Sequence, residues 1–119
     1  LDPVNASADM ADGFVWRLQS PPGEDPELDA FEAEGWLFNL TVWQSVDQLL
    51  AFVRSPGHLA IMRRRGEWFE PGQSTTVLWW MEQGPMPTFA EAMDRLERFR
   101  KTGSTPNAFS FSERFPPPR

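Results

Sequence analysis

The chain has no cysteine and no tyrosine, a single histidine, and one base among its first 53 residues. Without cysteine there is no disulfide, no thiolate nucleophile and no Cys-ligated zinc or iron–sulfur cluster, and a reducing, cytoplasmic setting is expected. No apolar run approaches the roughly 18 residues of a membrane helix, and no basic-then-apolar leader opens the sequence, so no membrane role is expected. The scarce bases also count against nucleic acid. Residues 1–34 carry nine acids against Arg17 alone, a balance of −8, whereas residues 35–119 carry eight acids against ten bases, +2. The one basic cluster, Arg63-Arg64-Arg65, would point in three directions on a helix, which describes a solvated face better than a phosphate track.

What is present is aromatic bulk, ten Phe and six Trp in 119 residues. Each buried ring hides about 150–250 Å², so a few contacts can hold one small domain over 1–119. Leu1 to Ala11 reads as the end of a helix closed by Asp12-Gly13. Phe14 to Leu18 reads as a strand. Ser20 to Glu34, with three prolines among acids, reads as an exposed loop within an acidic, Pro-rich stretch over 19–35. Trp36 to Trp43 is the richest strand pattern, and a hairpin with an acidic flap is the simplest link between the two.

Ser45 with Gln48 forms a capping box, followed by Val46, Leu49, Leu50 and Val53 on one helical face. Ser55-Pro56 starts a second helix, expected to run to about Trp68. Thr76 to Met81 is apolar on both faces, as in a strand lying between two layers. Its Val77–Met81 core offers bulk to a partner, so a homodimer through the sheet is expected. Thr88 with Glu91 caps a last helix carrying Phe89, Met93, Leu96 and Phe99, closed by Gly103. The tail, 104–119, reads as an extended segment laying Phe109 and Phe111 on the body. The elements make an α+β domain, and one more strand upstream would complete a ferredoxin-like β-α-β-β-α-β unit.

The run LTVWQSVDQLLAFVRSPGHLAIMRRRGEWFE, the later VLWWM, the Thr-Phe-x-Glu-Ala helix and the Phe-x-Phe tail together resemble a bacterial family known as a domain of unknown function, DUF3291. That resemblance implies the dimeric α/β-barrel superfamily, which also holds cofactor-free antibiotic-biosynthesis monooxygenases and haem-degrading monooxygenases. It implies a ferredoxin-like antiparallel sheet with helices on one face and a partner's sheet on the other. It further implies a first strand ahead of Leu1, expected to be missing from this chain.

His58, at the third position of the Ser55-capped helix, would share a face with Met62, Arg65 and Phe69. A helix N-terminus disfavours the protonated imidazole and leaves a nitrogen free to accept a proton. Three readings stay open: a packed structural histidine, the base of a pocket, or, as the haem-degrading relatives imply, an iron ligand. No cofactor is the first expectation, with haem as the alternative. Arg17 and Asn39 are polar residues inside apolar strands. Each either faces solvent or points a donor into a cavity, Arg17 on the face of Val15 and Asn39 on that of Thr41 and Trp43. Trp16, Trp43, Trp68 and Trp80 could stack on a flat ligand or fill a core or interface. The expected function is a small enzyme, oxygenase-like or isomerase-like, acting on an apolar, aromatic small molecule between sheet and helices. The alternative is a non-catalytic dimeric binding or structural module.

Overall fold

The computed structural model describes residues 10–36, 38–56 and 75–118. The chain divides into two compact units, one from Leu1–Pro21 with Leu37–Ser74 and one from Pro22–Trp36 with Thr75–Arg119. The described residues are α+β, with one two-stranded antiparallel sheet and three helices. The expected first helix end before Met10, and the helix from Ser55-Pro56 to Trp68 beyond its first residue, lie outside them.

In the first unit the chain enters through a turn at Asp12-Gly13, where the Phe14 amide donates to the Ala11 carbonyl at 3.2 Å. Gly13 sits at φ +86°, and its carbonyl accepts from the Gln44 amide at 2.8 Å. Strand β1 (Phe14–Arg17) then pairs with β2 (Thr41–Trp43), and a bond from the Leu18 amide to the Leu40 carbonyl, 3.0 Å, continues the ribbon. The pairs are Phe14 with Trp43, Trp16 with Val42 and Arg17 with Thr41. Two steps on β1 therefore oppose one on β2, and Val15 is the extra residue of a bulge. The expected strand from Trp36 is regular only over its last three residues.

Helix α2 (Val46–Val53) starts where the capping pair places it. Ser45 Oγ accepts from the Gln48 amide at 3.1 Å and donates to Gln48 Oε1 at 3.0 Å. Here the glutamine oxygen takes the cap's hydroxyl proton, where the reciprocal box would have it take the cap's backbone amide. Val46, Leu49, Leu50 and Val53 are half-buried, and Asp47, Ala51 and Arg54 are exposed. The aromatic centre of this unit is Trp43, which meets Phe14 edge-on at 5.6 Å and Phe52 at 5.3 Å.

The second unit corrects the loop expected over Ser20–Glu34, because helix α1 (Pro26–Ala33) lies inside it. Asp25 Oδ1 accepts from the Glu27 and Leu28 amides at 3.1 and 3.2 Å, and Pro26 stands in the first turn, where its missing amide costs nothing. Glu27 and Asp29 suit the positive end of the helix dipole. Asp29 also accepts from the Gly23 amide at 2.8 Å. Leu28 is buried, while Phe31 stacks on Trp36 at 6.0 Å and meets Phe89 edge-on at 5.5 Å.

Helix α3 (Phe89–Thr102) follows its Thr88 cap as expected and ends at Gly103, φ +75°. Phe89 and Ala92 are buried; Met93, Leu96 and Phe99 are half-buried. The strand expected over Thr76–Met81 does not form a ladder. Leu78 exchanges both backbone bonds with Phe109, each 2.8 Å, in an isolated antiparallel bridge. On the Trp80 side the next antiparallel pair would use Asn107, whose amide donates to Thr105 Oγ1 at 3.3 Å and whose carbonyl accepts from Arg95 Nη1 at 2.7 Å. Phe109 is nonetheless the most buried large side chain described, and Phe111 is half-buried.

Candidate functional site

Partner residues across an antiparallel pair project to the same side, and neighbours along a strand alternate. Phe14 and Arg17 therefore share the face of Trp43 and Thr41, with Trp16 on the opposite face beside Val42. The expected grouping of Arg17 with Val15 is corrected by the bulge: the extra residue shifts the alternation, so that residues 14 and 17 fall on one side. Val15 itself is 46% exposed.

An open depression of about 340 Å³ is lined by Phe14, Val15, Trp16, Arg17 and Gln19. The depression follows β1, which pairs with β2 and with no other strand among the described residues. The lining residues carry two aromatic rings, a guanidinium and a carboxamide. Such a surface can stack a flat apolar molecule and hold one polar group of it; both Trp16 and Arg17 are half-buried.

Of the residues singled out in the sequence, Trp16 and Arg17 come together here. Trp43 does not line the depression. Its ring is packed between Phe14 and Phe52, and its indole Nε1 donates to Thr41 Oγ1 at 2.9 Å. Asn39 is exposed, ahead of β2. Trp80 belongs to the second unit, where its Nε1 donates to the Phe115 carbonyl at 2.7 Å. His58, Met62, Arg65, Trp68 and Phe69 lie outside the described residues.

Phe14, Val15 and Gln19 line the depression although sequence reasoning did not select them. The available signal was the strand Phe14–Leu18 itself, since any hollow along it recruits consecutive residues. Among the described residues no polar or charged side chain is buried, and no three His, Asp or Glu side chains converge as a metal site. None of the described helices is long and apolar enough to cross a membrane.

The family model described as a domain of unknown function, DUF3291, matches residues 1–119. Neither a curated protein nor a solved structure gives a significant match.

Proposed function

The chain belongs to the DUF3291 family, and on that premise we propose that the domain binds an apolar, aromatic small molecule in the depression along β1 and acts on it as an oxygenase-like or isomerase-like enzyme. The observation that carries this reading is the lining itself, Phe14 and Trp16 with Arg17 and Gln19 along one strand. The ferredoxin-like, dimeric α/β-barrel arrangement and a homodimer through Val77–Met81 belong to the same proposal. They rest on the resemblance and on the apolar bulk of that segment.

In this reading His58 is the base. It removes a proton from an acidic C–H of the bound compound. Returned to another carbon, that proton gives an isomer; alternatively the carbanion of a CH2 group adds dioxygen and takes the proton back as a hydroperoxide, which loses water with the second hydrogen of the same carbon and leaves a ketone, the substrate supplying all the electrons. His58, the residue that would hold a haem, lies outside the described residues, so no step is built on that group. A Soret band in the purified protein would replace the base by an iron ligand.

The test is a panel of hydrophobic aromatic compounds read by tryptophan fluorescence. Saturable quenching that is lost in Trp16→Ala supports the site. His58→Ala is expected to abolish turnover while lowering stability by about 1 kcal/mol or less, a few degrees in a small domain. Saturable quenching without turnover of any compound would favour the second reading, a non-catalytic binding module. That reading gains from the openness of the depression and from the lack of a buried polar group among the described residues.

A further inference from the structure

The tail folds back and returns to Trp80. Beyond the Leu78–Phe109 bridge, Ser110 Oγ accepts from the Glu113 amide at 3.2 Å and lies 3.0 Å from Ser112 Oγ, which turns the chain. The Phe115 ring then meets Phe109 edge-on at 6.0 Å, and the Phe115 carbonyl accepts from Trp80 Nε1 at 2.7 Å. From Ser112 to Pro118 Phe115 is half-buried and every other residue is exposed. One residue therefore fastens this stretch. The run Pro116-Pro117-Pro118 suits it to that task, because a residue before proline is held extended and prolines bring no amide donors that would need partners.

Trp80 also lies inside Val77–Met81, the segment proposed above as the homodimer contact. We propose that the tail is a strap: Phe115 on Trp80 covers part of that segment within one copy and lifts before a second copy packs there. The inference rests on the homodimer proposed above and adds what restrains it. Strap closure and self-association then compete for the same indole. One neutral hydrogen bond and one ring contact hold a strap closed by roughly tenfold. A dimer needs two open straps, so its apparent affinity falls by the open fraction twice over, up to about a hundredfold.

Analytical ultracentrifugation of the whole chain gives the dimer constant. Phe115→Ala removes the ring that fastens the strap and is expected to tighten the dimer by about ten- to a hundredfold. A synthetic peptide of residues 112–118, in millimolar excess, should reverse part of that gain by refilling the seat on Trp80. Circular dichroism checks that the variant is folded. The wild type supplies a reading that needs no variant: the nuclear Overhauser contact between the Phe109 and Phe115 rings should fade as rising concentration populates the dimer. A dimer no tighter in Phe115→Ala, or a ring contact kept at full strength in the dimer, overturns the strap and leaves the homodimer standing. A gain that the peptide leaves intact overturns the strap too, since the seat on Trp80 is then not what was freed. A wild-type monomer at micromolar concentration overturns the homodimer and the strap together.

Discussion

Gly13 meets two demands at once. Its φ of +86° costs an L-residue about 1–2 kcal/mol, and a Cβ built there would overlap the Gln48 side chain, standing 2.7 Å from its Cβ. Gly23 has a similar φ, +94°, yet a Cβ there would meet nothing within 4 Å. Comparing the two separates backbone strain from contact. Gly23→Ala is expected to cost about 1 kcal/mol and Gly13→Ala at least about 1 kcal/mol more, a further drop of roughly 4 °C in Tm. Equal melting temperatures would mean that Gln48 simply swings away. The turn at Asp12-Gly13 was legible because the residue pair names its own geometry. The partners of the polar strand residues were not: Arg17 and Asn39 look alike in sequence, and only pairing shows that one lines a hollow and the other faces solvent.

Among the elements, those with a local cap could be read and those needing a distant partner could not. Ser45 and Thr88 mark their helices because capping is settled within four residues. Asp25-Pro26 carries the same signal as Ser55-Pro56, yet the surrounding acids and prolines suggested a loop; in fact acids in a first turn favour a helix. Asp25→Ala should therefore cost about 1 kcal/mol and speed hydrogen exchange at Glu27 and Leu28. Unchanged exchange there would argue against the helix. The Val15 bulge has no marker in the sequence, since it is a property of pairing, and beyond the Leu78–Phe109 bridge the backbone of Asn107 is engaged by Thr105 and Arg95. Arg95 ties α3 to both sides of that bridge. It donates to the Asn107 carbonyl at 2.7 Å and lies 5.5 Å over the Trp79 ring. Arg95→Met is expected to cost about 1–2 kcal/mol in a denaturant melt, and a neutral outcome would reduce both contacts to incidental ones.

For the whole molecule, the α+β class and the family were legible from aromatic and capping patterns, whereas the faces that Phe14 and Arg17 share depend on one bulge. The proposed homodimer predicts a mass of twice 13.6 kDa by light scattering. Trp79→Asp should turn the dimer into a monomer or an aggregate, because it puts a carboxylate into the apolar Val77–Met81 segment. A wild-type monomer at micromolar concentration would end the dimer proposal. The proposed function depends on the depression along β1 binding an aromatic molecule, and an NMR titration of isotope-labelled protein with 2-naphthoate reads that strand residue by residue. Saturable shifts are expected, largest at the amides of Phe14 to Gln19 and with the Trp16 indole among them. Shifts confined to Val77–Met81, or none at any amide, would contradict binding at β1.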